Sequence, residues 1–249
     1  MKDSKWFENK ICLITGGTRG IGRAIAEMLL NAGALVVVSG QSQETVNRAV
    51  DELMQKWPGK VKGKPADVRD YAAVRELFEH VDGAFERTGR LDVLVNNAGI
   101  GTFGSLAALS LAQWEQTIGT NLTGAFLCSR EALSRFGTRG GFIVNISSLA
   151  GKHAFAGGAA YNASKFGLVG FSDALMLDSR YDNVRVSTIL PGSVATGFDR
   201  GAQDGSADLG TDWKVHPEDV AAAVRMVLQM PERSLVSQLE IRPSRPKRK

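Results

Sequence analysis

Cysteine is scarce in this 249-residue chain, and long apolar runs are absent. The two cysteines, Cys12 and Cys128, lie in a strand-like and a helix-like apolar run, neither with metal-ligand spacing around it. That leaves no local metal site or disulfide framework to build on, and reads as buried free thiols in a reducing compartment. No apolar stretch approaches the roughly 20 residues that span a bilayer. Residues 1–6 lack the apolar core of a secretory signal, so a cytoplasmic, membrane-free protein is expected. Excess charge is also small. The formal net charge is +4, and the last eight residues alone hold Arg242, Arg245, Lys247, Arg248 and Lys249, which leaves about −1 for the rest. A body that tracks a phosphate backbone would carry clustered charge, so nucleic-acid binding is not expected. With Pro243 and Pro246 among them, residues 242–249 read as an extended basic tail.

What is present is core material. Hydrophobic residues make up 43% and charged residues 22%, enough to bury a globular interior. Short runs rich in Val, Ile and Leu occupy residues 11–15, 34–39, 91–96, 142–147 and 184–190, with weaker candidates at 61–66 and 238–241. Their near-continuous apolarity suits parallel strands covered on both faces. Between them lie helical patterns at 21–31, 45–57, 72–87, 111–136, 161–181 and 220–229, the last opened by Pro217-Glu218-Asp219. This rhythm predicts one α/β domain over residues 1–241, a Rossmann-like doubly wound parallel sheet with helices on both faces.

After the first strand comes Thr15-Gly16-Gly17-Thr18-Arg19-Gly20-Ile21-Gly22. Glycines there permit a tight turn and a close approach of backbone N–H groups to a pyrophosphate at the following helix N-terminus. A plain structural turn would use the same residues; the strand before and helix after favour dinucleotide binding. The second strand ends Val38-Ser39-Gly40-Gln41-Ser42, with no acid before Glu44 to accept from a ribose 2′-hydroxyl. Arg19 could meet a 2′-phosphate. NADP(H) is therefore favoured and NAD(H) remains an option, since Gln41 stands where a second cation would have strengthened the case.

Tyr161 and Lys165 lie four residues apart at the start of a helix and so share one face. A phenol titrates near pH 10, and a neighbouring ammonium brings it toward the working range. Ser148 follows the 142–147 strand at its carboxyl edge, where open parallel sheets bind ligands. On an extended strand Ser147 points the other way.

With these motifs in their order and spacing, nearly the whole chain resembles the short-chain dehydrogenase/reductase family, and is similar to its 3-oxoacyl-(acyl-carrier-protein) reductase-like members. The resemblance also rests on Asp67-Val68, Asn96-Asn97-Ala98-Gly99, Asn121 and Pro191-Gly192 through Val194 and Thr196. It implies that Tyr161 is the acid–base residue, that Lys165 lowers its pKa and holds the nicotinamide ribose, that Ser148 orients the substrate carbonyl, and that Asn121 helps hold a relay water. It further implies cofactor contacts from Thr15 to Gly22, Gln41, Asp67 and Val68, Asn97, Ala98 and Gly99, and the stretch Pro191, Gly192, Val194 and Thr196. A small carbonyl or alcohol substrate follows, a 3-oxoacyl thioester or small ketone among the options. So does a homodimer or homotetramer paired through the 111–136 and 161–181 helices. Other readings of the scaffold are an NAD-linked sugar, polyol or steroid dehydrogenase, or an NADP(H) sensor without turnover. Phe103, Phe155, Phe198 and His153 are candidate pocket residues, His216 reads as local structure, His80 in its charged helix reads as solvated, and residues 197–213 resemble the family's substrate-covering segment.

Overall fold

Seven short parallel strands hydrogen-bond in the order β3-β2-β1-β4-β5-β6-β7. They are β1 (Ile11–Ile14), β2 (Leu35–Gly40), β3 (Val61–Pro65), β4 (Val93–Asn96), β5 (Gly141–Ile146), β6 (Val184–Pro191) and β7 (Gln238–Ile241). The computed structural model describes residues 4–85, 90–196, 198 and 212–246. Every strand expected from the sequence forms, and the sheet is the doubly wound one.

A strand covered on both faces has no water side, so apolar residues follow one another without a break. Ile11, Cys12, Leu13 and Ile14 are all fully buried. Alternation still sorts them into two cores. Cys12 and Ile14 pack toward α1 (Gly20–Asn31) and α7 (Pro217–Leu228). Ile11 and Leu13 pack toward α3 (Tyr71–Gly83), α5 (Gly124–Phe136) and α6 (Ala159–Ser179). Both free cysteines are buried in these layers.

Helix ends follow local chemistry. Helix α2 (Gln43–Lys56) begins two residues before the expected 45 because Ser42 Oγ accepts from the Thr45 N–H. Helix α7 has Pro217 in its first turn, and Asp219 reaches back to accept from the His216 N–H at 2.8 Å. Helix α3 stops at Gly83, short of the expected 87, and residues 86–89 lie outside the described ones. The covering segment expected over 197–213 also falls almost entirely outside them. Of the basic tail, Arg242 is tied down: it bonds Glu240 at 2.8 Å and meets His153 Nε2 at 3.1 Å.

The span 111–136 is not one helix. It divides into α4 (Leu111–Ile118), a π-helical turn over Gly119–Thr123, and α5. Asn121 sits in that wide turn, fully buried. Its Oδ1 accepts from the Ile100 N–H at 2.8 Å, and its Nδ2 donates to the Ile100 carbonyl and to Ser164 Oγ, both at 2.9 Å. Those tertiary bonds, which periodicity cannot show, accompany the departure from 3.6-residue winding.

A polar seam runs through the α5–α6 core. Asn96 Nδ2 donates to Asn145 Oδ1 at 2.8 Å and to Ser129 Oγ at 3.0 Å, and Asn145 Nδ2 donates to Ser172 Oγ at 2.8 Å. Buried amides left without partners would cost about 1–3 kcal/mol each, so the seam fixes how α5 and α6 sit on the sheet. Because β1 lies between β2 and β4, chain connections leave it in opposite directions, and a crevice opens at the carboxyl ends of β1 and β4.

Candidate active site

That crevice holds a cavity of about 590 Å³, a size suited to a small ligand. One end is built by the turn from β1 into α1. Gly16 (φ +62°) and Gly20 (φ +55°) occupy the left-handed region that favours glycine. A Cβ on Gly16 would lie 2.9 Å from Ala98 Cα, and one on Gly22 would lie 2.3 Å from the Gly16 carbonyl oxygen. The turn is braced from behind. Thr15 Oγ1 accepts from the Asn97 and Ala98 N–H groups at 3.1 Å, and Asn97 Nδ2 donates to the carbonyls of Thr15 (3.0 Å) and Gly16 (2.9 Å).

Helix α1 has no acid in its first turn and no side-chain cap on its first N–H groups, whereas α2 begins with Glu44 and α7 with Glu218 and Asp219. Its positive end is left for an anion. The Ser39 hydroxyl on the cavity wall is buried and has no partner among the described residues. A backbone cradle that any Cβ would fill, an open helix end and a spare hydroxyl fit a dinucleotide.

Beyond the end of β2, Gln41 Nε2 donates to Asp67 Oδ2 at 3.3 Å, and Arg69 grips the same carboxylate through Nε at 2.9 and 3.0 Å. The Arg69 guanidinium holds the Asp67 carboxyl below the ordinary carboxylate range. Asp67 is the one acid among the described lining residues, and that grip occupies it; Arg19 and Arg48 line the same cavity.

At the other end Ser148, Tyr161 and Lys165 line the cavity together. Tyr161 and Lys165 stand on the first turns of α6, with Lys165 Nζ 5.8 Å from the centre of the Tyr161 ring. Lys165 is buried, and Nζ donates to the Ile146 carbonyl at 2.9 Å. Burial lowers its pKa from 10.5 to about 8. Ser148 Oγ accepts from the Ala150 N–H at 3.1 Å, which leaves its own hydroxyl proton to donate. Ser147 Oγ instead donates to the Lys165 carbonyl at 3.3 Å.

Of the other residues expected here, Gly16, Thr18, Arg19, Gly20, Ile21, Gln41, Val68, Asn97, Ala98, Gly99, Pro191, Gly192, Val194 and Thr196 all line the cavity. Thr15, Gly22 and Asn121 stand behind the wall: Thr15 and Gly22 support the glycine turn, and the Asn121 carboxamide is taken up by Ile100 and Ser164. Sequence reasoning missed Ser42, Arg48, Gln116 and Thr120 as lining residues. Gln116 and Thr120, four apart in a helical stretch, carried a signal that a same-face count could have caught.

Such a two-ended crevice defines an NAD(P)-dependent oxidoreductase acting between carbonyl and alcohol. Residues 10–206 match the model of the short chain dehydrogenase family. The 3-oxoacyl-(acyl-carrier-protein) reductase of Aquifex aeolicus is 36% identical over 191 residues, 76% of either chain. A 3beta-hydroxysteroid dehydrogenase of Mediterraneibacter gnavus is 35% identical over 232 residues, 93% of this chain and 80% of that one. A solved alcohol dehydrogenase from the archaeon Thermococcus sibiricus, complexed with 5-hydroxy-NADP, superposes with a TM-score of 0.86 at 29% identity, covering 97% of this chain and 100% of that one. The chain belongs to the short-chain dehydrogenase family.

Proposed function

We propose that this protein uses NADP(H) to interconvert a ketone and its secondary alcohol. One observation carries the reading: Tyr161, Lys165 and Ser148 line the same cavity as the glycine cradle and the uncapped α1 N-terminus. When bound, the dinucleotide supplies or accepts the hydride. The chain manages the proton. In reduction Tyr161 donates its phenolic proton to the substrate oxygen, and the Ser148 hydroxyl donates a hydrogen bond to that oxygen. The Lys165 ammonium beside the ring makes the remaining phenolate less costly. NADPH consumption with a broad ketone panel is the test, and silence across the panel with both NADPH and NADH would overturn the reading.

Coenzyme preference follows from charge. The Asp67 carboxylate is held by Arg69 and Gln41, while the Arg19 and Arg48 cations line the same cavity. The Thermococcus sibiricus relative, similar in fold, is complexed with a modified NADP. Arg19→Ala is expected to weaken NADPH binding about tenfold or more, as loss of a charge-assisted bond would, and to leave NADH nearly unaffected. Fluorescence titration with both coenzymes reads the difference; equal losses would contradict the assignment.

The Lys165 proton sets an upper pH limit. As pH rises through about 8, the buried ammonium loses its charge and the Tyr161 phenolate loses its stabilisation. Reduction is therefore expected to slow above about pH 8, visible as a falling limb of kcat/KM. A flat profile to about pH 10 would show that the charge on Lys165 is not used.

Phe126 on α5 and Phe166 and Leu177 on α6 leave large apolar areas half-exposed. We infer a homo-oligomer, dimer or tetramer, through these helices. Light scattering at micromolar concentration should give at least a dimer mass, and a monomer mass would refute it. The buried thiols fit a cytoplasmic location, and among the described residues no helix is long and apolar enough to cross a membrane.

A further inference from the structure

We propose that the substrate is a neutral ketone whose carbonyl sits in or beside a flat apolar ring, a cyclic or aryl ketone. This rests on the carbonyl–alcohol reading above and names the substrate class for the same site.

Two phenylalanines flank the reacting phenol, and a third extends the wall they form. Phe103 meets the Tyr161 ring edge-on with centroids 5.4 Å apart, and Phe198 tilts toward it from 5.9 Å. Phe155 tilts against Phe103 at 6.0 Å. All three line the cavity. Yet Phe103 remains 44% exposed and Phe155 47% exposed, so ring surface stands in water beside the acid–base residue. An apolar ligand that covers this surface gains its burial, and a flat one also gains the offset or edge-to-face packing that aromatic rings prefer.

The wall is held in place before any ligand arrives. The Phe155 N–H donates to Asn162 Oδ1 at 3.3 Å, and Asn162 Nδ2 donates to the Ala150 carbonyl at 2.8 Å, which anchors the segment to α6 right beside Tyr161. The Gly104 N–H donates to the Gly157 carbonyl at 2.8 Å and joins the segments that carry Phe103 and Phe155. A Cβ on Gly101 would lie 2.6 Å from the Phe103 ring and 2.8 Å from the Phe198 ring, so both rings close over bare backbone. A rigid surface of this kind favours a rigid ligand, because a flexible chain loses more freedom on docking.

Charge points the same way. The described lining residues include neutral Gln116, Thr120 and Ser148; the lining cations are Arg19, Arg48, Arg69, which grips Asp67, and Lys165, whose Nζ donates to the Ile146 carbonyl. Lys165 stands beside the Tyr161 ring, but its ammonium is already engaged by the Ile146 carbonyl and by the developing phenolate. A carboxylate carried next to the substrate carbonyl would therefore be desolvated against the phenylalanines at a cost to binding.

The experiment compares kcat/KM with NADPH for β-tetralone, a straight-chain decanone, an open-chain 3-oxoacyl thioester, cyclohexanone and a cyclohexanone carboxylate. It uses the wild type and the Phe155→Ala and Phe155→Leu variants, the latter keeping apolar bulk without the ring. Calorimetric titration of β-tetralone into the NADP⁺-loaded protein accompanies it. The expected result is a preference of about tenfold or more for β-tetralone over the open chains and for cyclohexanone over its carboxylate, with the ring preference shrinking severalfold in both variants. Turnover that favours an open chain or the carboxylate, or a ring preference indifferent to Phe155, overturns this inference and leaves the carbonyl–alcohol reading standing. Saturable β-tetralone binding that weakens in Phe155→Leu, with no ketone turned over, keeps the ring subsite and overturns the catalytic reading. Neither binding nor turnover sinks both.

Discussion

Tyr161→Phe removes one oxygen atom and is expected to lower carbonyl turnover by about a hundredfold to ten-thousandfold, with little change in NADPH affinity. The new ring would keep its place between Phe103 and Phe198. Lys165 would stay on the Ile146 carbonyl, and Ser148 could still offer its hydrogen bond. What disappears is the proton donor. A serine hydroxyl is too weak an acid to replace a phenol whose conjugate base is steadied by an ammonium. Steady-state rates paired with a fluorescence titration of NADPH separate the chemical loss from a binding loss. Near-normal turnover in the variant would mean that the proton comes from elsewhere, and the acid–base assignment would fall.

Gly22→Ala is expected to damage the fold itself. Its methyl would sit 2.3 Å from the Gly16 carbonyl oxygen and 2.4 Å from Asn97 Nδ2. Neither can step aside: Gly16 is set by its left-handed backbone, and Asn97 is held by the Thr15 and Gly16 carbonyls. No rotamer relieves a clash between backbone and Cβ, so α1 must move away from β1. We expect about 2–4 kcal/mol of destabilisation and NADPH binding weakened more than tenfold. Gly83→Ala is the matched control, since a Cβ there meets nothing within 4 Å. Thermal unfolding by circular dichroism should show a lowered Tm for Gly22→Ala and an essentially unchanged one for Gly83→Ala. Equal melting of both variants would mean that the glycine turn yields more easily than its contacts imply.

Much of the architecture was legible in the letters, for physical reasons. Runs such as 11–14 are apolar throughout because both faces of the sheet are covered, and a segment of strand length with that pattern fits few places in a fold. The Tyr161–Lys165 pair was legible because helical spacing places both on one face; strand alternation could not separate Ser148 from Ser147, since β5 ends at Ile146 and both serines line the cavity. Asp67, Asn121 and the Pro191–Thr196 stretch were legible only through family likeness; nothing in their local composition marks them. Other features depend on partners far away in the chain. Gln41 read as a gap in the coenzyme site, yet its amide is engaged by Asp67 across the β2–β3 edge. The phenylalanine wall joins three segments that meet only once the sheet has formed. The wide turn at Asn121 answers to Ile100 and Ser164, neither of which is its neighbour in sequence.

That turn acts like a gear between two shafts. On its far side Ala125, Cys128 and Ala132 keep time with the buried sheet, while Gln116 before it and Thr120 within it line the ligand chamber. Regular winding advances about 100° per residue. A π turn carries one residue more than regular winding does, so removing a single residue from 119–123 would let that winding close across the gap with both sets near their phase. The loss would fall on the turn's hold on Ile100 and Ser164.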